Sequence, residues 1–483
     1  MSKKLRILAL ALAVLMLVPA ILAGCSGSGD SEQTTPKQTE DTSAPSSSAD
    51  SSSDVVDTTD PNKIDLGGYE FHLNSGSYGG ISTSGNRHEG TALYDELLDL
   101  YAQIEEDLNC TIIAESSDRG SDVLLPAAVG GMKLQDFINC RQSTWIPLAM
   151  MGGIRPLETM VDAGLDLYNE NNFNQVYTQM SEVNGHVYAL DMTGKFDWTS
   201  LGHFYAFNRE LVEKAGYKSE DLFQAVRDGK WDYAMMLEIA GKITHDVDGD
   251  GTYDIYGIAL DTDGNEIWTN GTGPILYKDG KWVANLTDPQ LQPSLQFMSD
   301  LSQPTMTIPV IGNTAGRGDR RNNFYAGKAG FAGLYGGNLD NENLQEMAGN
   351  GKFGALPIPK GPDADKYVMN MVDLDTFVCQ TANTDWEKAA KVMNAIGAAI
   401  TDFDAYREAT LGYIAGDEES IEMLFDYALP NAMMNIAKCS DDMYQITRKQ
   451  FYAAIYELTL SPAAAAEAYQ DKIQAELDNV FQQ

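Results

Sequence analysis

Three cations, Lys3, Lys4 and Arg6, precede 17 consecutive uncharged residues, Ile7 to Ala23. A basic start followed by an apolar run of that length is an export signal, so the rest of the chain must fold on the far side of a membrane. Between Ser26 and Asp60, 16 of 35 residues are Ser or Thr, eight are acidic, and the only large aliphatics are Val55 and Val56. No core can form from such a segment. It behaves as a solvated tether with a root-mean-square reach of about 30–35 Å.

The 483 residues carry 33 Lys and Arg against 70 Asp and Glu, a formal net charge of −37, and 43% are hydrophobic. This balance excludes a wholly disordered or fibrous chain, and at roughly 100–200 residues per domain the length suggests two or three domains. The negative excess repels phosphate backbones and anionic lipid head groups, which argues against nucleic-acid binding and electrostatic membrane adhesion. Neutral or cationic small ligands remain open.

The apolar run ends at Leu22-Ala23-Gly24-Cys25, which resembles a bacterial lipobox. The resemblance implies cleavage before Cys25 and acylation of that cysteine, including a palmitate-type chain, holding the protein on the extracytoplasmic face of the cell membrane. An uncleaved N-terminal anchor helix is the alternative. Cys110, Cys140, Cys379 and Cys439 remain, with no C-x-x-C pair and no histidine at metal-ligand spacing. Zinc is therefore disfavoured, and the four thiols allow three full pairings or none.

Along the body, Gly68 to Leu73 reads as a strand. Leu93, Leu97, Leu100, Ile104 and Leu108 recur at helical spacing opposite acidic residues, and Cys110 to Ala114 reads as the next strand. Gln135 to Cys140 is a short strand entering the loop Arg141 to Trp145. Asn184-Gly185 is a two-residue turn into a strand ending at Leu190, and Phe204 to Arg209 is a strand feeding a helix from Glu210 to Gly216. Ser461-Pro462 opens a C-terminal helix with Ala466, Tyr469, Ile473, Leu477 and Val480 on one stripe. Alternating strands and helices without a repeat of 20–50 residues give an α/β class.

The order of several phrases resembles the extracellular solute-binding proteins of ABC importers, in the sugar-binding group (family 1) that includes maltose-binding protein. They are Asp136-Phe-Ile with its loop, Gly153-Ile-Arg-Pro-Leu157, Asn184 to Leu190, Phe204 to Gly216, Phe324-Tyr-Ala-Gly-Lys-Ala-Gly-Phe331, Phe353-Gly-Ala-Leu-Pro-Ile-Pro359-Lys-Gly-Pro362 and the Ser-Pro-Ala helix. The resemblance implies a two-lobed, periplasmic-binding-protein-like (type II) fold with an interlobe hinge and a helical C-terminus. The implied divisions are signal peptide 1–24, lipidated Cys25 and tether 25–62, N-terminal lobe 63–195 plus 336–382, and C-terminal lobe 196–335 plus 383–483. Crossings between lobes are expected near Asp191–Gly202, Gly333–Asn338 and Gln380–Asp385. It further implies a monomer that captures a small carbohydrate, an oligosaccharide above all, and delivers it to ABC permease subunits.

A sugar presents apolar C–H faces and a ring of hydroxyls, so aromatic platforms and hydrogen-bonding side chains should converge on it. The family pattern places Arg141, Gln142, Ser143, Trp145, Asp197, Trp198, Trp268, Tyr335, Asp373 and Asp375 at the cleft. Trp231, Trp282 and Trp386 read instead as a helix-start, a hairpin and a helix-docking residue.

Asp246-Val-Asp248-Gly-Asp250-Gly-Thr252-Tyr-Asp254 reproduces the first part of a calcium loop, but Gly257 stands at the twelfth position where a bidentate Glu is needed. A structural calcium and a plain Asp/Gly turn both fit; no cofactor is otherwise required. The chain has no H-E-x-x-H, no G-x-S-x-G, no Walker loop and no strand-linked G-x-G-x-x-G, and its five histidines are scattered. It therefore reads as a non-enzyme. A secreted glycosidase, needing only two acids at roughly 5–10 Å, and a surface glycan-binding adhesin without a transporter are the alternatives.

Overall fold

The computed structural model describes residues 64–76, 79–117, 119–196, 201–308, 317–371 and 375–482. The expected signal, Cys25 and the tether lie outside these residues, as do Asp197, Trp198 and Asp373. Among the described residues, no helix is long and apolar enough to cross a membrane.

Among the described residues, eight strands build the two larger sheets: β1 (Tyr69–Asn74), β2 (Cys110–Glu115), β3 (Phe137–Cys140), β4 (His203–Asn208), β5 (Tyr256–Ala259), β6 (Ala329–Tyr335), β7 (Phe353–Leu356) and β8 (Thr376–Val378). The first sheet has the order β8-β3-β1-β2, with β1 parallel to β2 and β3 and with β8 antiparallel to β3. The second has the order β7-β4-β6-β5, with β4 antiparallel to both neighbours and β5 parallel to β6. Strand composition follows position. The edge strand β2 buries Cys110, Ile112 and Ala114 and exposes Thr111 and Ile113, whereas the central strand β4 is buried at every residue.

The helices that bear on the site are α1 (Ala92–Leu108), α2 (Ser121–Val129), α3 (Gln142–Met150), α4 (Arg317–Tyr325), α5 (Trp386–Ile400), α6 (Phe403–Tyr413), α7 (Asp441–Ile446), α8 (Ala453–Tyr456) and α9 (Pro462–Phe481). Local chemistry sets their ends. Thr91 caps α1 by accepting from the Tyr94 N–H, and Asn109 ends it in the left-handed region at φ 48°. Ser461 caps α9, with Pro462 in its first turn. Asn184 and Gly185 take positive φ in the turn joining Glu182–Val183 to His186–Val187.

One core packs Phe71, Leu73, Leu97, Ile104, Val392 and Ile396 between the first sheet, α1 and α5. A larger one runs from Trp145, Ile146 and Leu148 of α3 into the second sheet, where Phe207, Trp231 and Phe331 meet. Trp282 lies on the hairpin Ile275–Lys278/Lys281–Ala284, and Trp386 begins α5 beneath the Arg155 guanidinium, as read from the sequence. Cys110, Cys140, Cys379 and Cys439 are all buried free thiols. Burial raises their pKa, to about 11 for Cys110 and about 12 for Cys379.

The lobe boundaries differ from the expected ones in two places. Residues 336–371 belong to the second lobe, because β7 pairs with β4 and Met369–Asn370 pair with Ala432–Met433. Residues 386–400 belong to the first lobe, because α5 packs on β1 and α1. The chain therefore crosses after Gly194, between Met371 and Asp375, and again after Ile400. Gly333 is no hinge residue; it lies inside β6, where a Cβ would approach that of Asp261 to 2.8 Å.

The first and third crossings lie side by side. The Asp402 N–H donates to the Thr193 carbonyl at 2.9 Å, and a Cβ on Gly194 would lie 2.1 Å from the Ile400 carbonyl oxygen. Gly194→Ala should destabilise the fold by about 1–3 kcal/mol through that overlap. Gly412→Ala, at a helical position with open space around it, should be neutral or stabilising by up to about 1 kcal/mol. Urea unfolding of both variants checks the contrast.

Candidate functional site: the facing sheet edges

Open α/β sheets bind ligands outside the carboxyl ends of their strands. In the first lobe that edge is formed by Asn74, Glu115 and Cys140, with Thr376 entering beside Cys140. Glu115 accepts from Arg119 at 2.6 Å and from Gln135 at 2.7 Å, and the Arg119 guanidinium holds its carboxyl below the usual range. Arg141 caps the start of α3 with its side chain half exposed, 3.9 Å from Asp375.

In the second lobe β4 enters the edge at His203, while β5 and β6 leave it at Ala259 and Tyr335. Just beyond β5, Asp261 and Asp263 are buried. Buried carboxylates need partners, and α4 and the C-terminal region supply them. Arg321 pairs with Asp261 at 2.8 Å and lies over the Tyr335 ring, 5.3 Å from its centroid. Arg448 pairs with Asp263, and Arg320 donates to the Thr262 hydroxyl at 3.2 Å.

His203 sits among these groups at 1% exposure, with its ring edge-on to Tyr335 at 5.8 Å and neither nitrogen hydrogen-bonded. Burial pushes its pKa down to about 4 against the pull of Asp261 and Asp263, with Lys438 and Arg321 adding to the fall. The imidazole is neutral at pH 7. On the same face of β4, Tyr205 donates to Glu266 at 2.6 Å and Tyr456 of α8 donates to its other oxygen at 2.7 Å. Burial raises the Glu266 carboxyl above its usual range. Paired charges, a neutral imidazole and a half-buried tyrosine suit an uncharged polar ligand.

Of the residues expected at the cleft, the structure brings Arg141 to Asp375 and sets Tyr335 against His203 and Arg321. Two tryptophans differ from expectation. Trp145 is 0% exposed, because α3 is covered by α7 and α9, and no ring face is open for stacking. Trp268 is 4% exposed and lies so close to Gly273 that a Cβ there would meet its ring at 2.1 Å. Gln142 is 0% exposed and reaches across to the second lobe, donating to the Asn435 carbonyl, and Ser143 is buried beside it. His203, Asp261, Asp263, Arg321 and Arg448 were not singled out by the sequence. The one signal was Asp261-Thr-Asp263-Gly directly after a strand.

The acidic loop lies at the opposite, amino-terminal end of β5. Carboxylate oxygens of Asp246, Asp248 and Asp254 fall within 4.8 Å of one another. Each already accepts backbone N–H groups: Asp246 from Gly249 (2.7 Å) and Gly251 (2.8 Å), Asp248 from Asp250 (3.1 Å), and Asp254 from Val247 (2.8 Å). Asp250 accepts from Thr252 at 2.7 Å. These bonds, that from Gly251 foremost, hold the Asp246 carboxyl below its usual range. Gly257 lies within β5 and offers no carboxylate.

His203 makes stability depend on pH. Its pKa is 6.5 in the unfolded chain and about 4 when folded, so between those values the unfolded state binds the extra proton. Its stabilising share is present above pH 6.5 and is lost as pH falls towards 4, a loss of at most about 3 kcal/mol. His203→Phe should lack that component, so its stability relative to the parent should rise as pH falls, measured by urea unfolding across pH 4–7.

No family model matches the chain, and no curated protein sequence matches it. Solved structures do. The GacH receptor of Streptomyces glaucescens, solved unliganded and with acarbose, superposes with a TM-score of 0.58 at 13% identity, over 86% of this chain and 99% of that one. An ABC substrate-binding protein of Listeria monocytogenes in complex with cycloalternan gives 0.57 at 13%, over 85% and 99%. UgpB of Mycobacterium tuberculosis in complex with glycerophosphocholine gives 0.56 at 17%, over 86% and 99%. The chain has the two-lobed fold of ABC-transporter solute-binding proteins.

Proposed function

We propose that this chain is an extracytoplasmic solute-binding protein, tethered through acylated Cys25, that captures a carbohydrate between its lobes and passes it to an ABC permease. An oligosaccharide is the favoured cargo, and no bond is made or broken. One observation carries the reading: at the strand ends of the second lobe the buried acids are matched by arginines around a neutral imidazole and Tyr335. A charged ligand would meet no net opposite charge among these pairs, whereas half-buried Tyr335 offers an uncharged ligand a ring face and a hydroxyl. The fold's neighbours solved with acarbose and cycloalternan support the carbohydrate class. Any calcium held by Asp246, Asp248 and Asp254 would be structural, since the loop lies at the far end of β5 from this edge.

A thermal-shift screen of residues 61–483 against oligosaccharides, monosaccharides, glycerophosphodiesters, peptides and polyamines tests it. A ligand at 100 times its dissociation constant adds about 2.7 kcal/mol of stability, a shift of a few degrees. Upshifts confined to peptides or polyamines would discard the sugar, and release of hydrolysed sugar would make the chain a glycosidase. Tyr335→Ala should weaken the sugar so identified by about 1–3 kcal/mol in calorimetry. Cys25→Ser should abolish incorporation of labelled palmitate and leave the body in the soluble fraction of expressing cells.

A further inference from the structure

At the end of the second sheet away from the cleft, where β4 finishes and β5 and β6 begin, lies a cavity of about 400 Å³. Sites for small molecules have volumes in this range. The strand β4 runs from His203 at the cleft edge to Asn208 on the cavity wall, so its length, about 17 Å, separates the two places. The walls divide by chemistry. Leu211, Ile255 and Met347 form an apolar side. Opposite in character is Asn208, which is 3% exposed and accepts the Leu211 N–H on its Oδ1 at 3.2 Å, while its Nδ2 amide makes no hydrogen bond. A Cβ on Gly327, which also lines the cavity, would stand 4.0 Å from that nitrogen. Buried amide groups are nearly always paired, so an orphan donor on a cavity wall marks a place for an acceptor.

Lys214 and Lys352 add charge to the same wall. Both bond Glu210, at 2.8 and 3.1 Å, and Lys214 foremost holds its carboxyl down at about 2. Each ammonium has three N–H groups and gives one to Glu210. Two cations against one anion leave a positive balance among the three. The carboxylates of the neighbouring acidic loop, Asp246, Asp248 and Asp254, are turned to N–H groups of their own loop. We propose that this cavity is a second ligand site, separate from the cleft, that takes a small organic carboxylate with an apolar body. The carboxylate meets the Asn208 amide and the Lys214 and Lys352 ammonium groups, and the body lies against Leu211, Ile255 and Met347. Inorganic phosphate or sulfate would leave the apolar side in water, and an alcohol would not use the positive balance. The site stands whatever the cleft carries.

Calorimetry and thermal shift on residues 61–483, which contain both hydrophobic cores, test this with benzoate and 4-methylpentanoate. Both should bind and raise the unfolding temperature. Acetate, which lacks the body, and benzyl alcohol, which lacks the charge, should bind about tenfold more weakly. Lys214→Met and Lys352→Met should each weaken benzoate by about two- to fivefold. Asn208→Asp keeps an oxygen for the Leu211 N–H but sets a carboxylate where the amide donor stood, and should weaken it by more than about tenfold. Both lysines are more than half exposed, so their variants decide the matter if Asn208→Asp fails to fold. Absence of benzoate binding, equal binding of acetate or benzyl alcohol, or lysine variants that bind as the parent does would overturn the site. So would loss of benzoate binding in Tyr335→Ala, which would put the anion in the cleft and count against the carbohydrate reading as well. A sugar screen that fails while benzoate binding still depends on the lysines leaves this site in place.

Discussion

The two-lobe shape depends on the contact between Gly194 and the Ile400 carbonyl. Two crossings of the chain run past each other there with no room for a side chain. The Thr193 carbonyl receives the Asp402 N–H, and the Thr401 hydroxyl donates to the Asn172 carbonyl at 2.8 Å. Both crossings are thereby fastened to the first lobe up to residue 402. Any rotation between lobes must therefore turn on residues beyond that anchor. Within the second lobe the shared sheet fixes the ends of β4, β5 and β6 relative to one another.

At the second-lobe edge the buried charges come in pairs. The chain's negative excess is spread over its surface, but the buried acids Asp261 and Asp263 each meet a guanidinium. Removing charge from water is tolerated only with such pairing. The two buried acids are thereby neutralised within a strongly acidic protein, whose outer field repels anionic solutes and leaves uncharged ones unaffected.

Local elements were legible because their signals are local. The stripe of α1, the Asn184-Gly185 turn and the Ser461-Pro462 start of α9 appear where periodicity and turn chemistry put them. Lobe membership was not legible in the same way. Phe353–Leu356 and Trp386–Ile400 look alike whichever sheet they join, and only the register of β7 on β4 and the packing of α5 on α1 decide. Of the residues expected at the cleft, Tyr335, Arg141 and Asp375 stand at sheet edges, whereas Trp145 and Trp268 fill interior space. A tryptophan in a polar phrase reads the same whether its ring faces a ligand or a core. His203 and the Asp–Arg pairs escaped notice because single members of common residue types acquire meaning only from neighbours distant in sequence.

The four buried thiols bear on the export proposed for this chain. Burial keeps each of them protonated and shielded from dissolved oxidants in the folded body. The unfolded chain has no such protection and could cross-link in any of three full pairings. Export as proposed above would set a race between collapse of the two cores and oxidation of the chain.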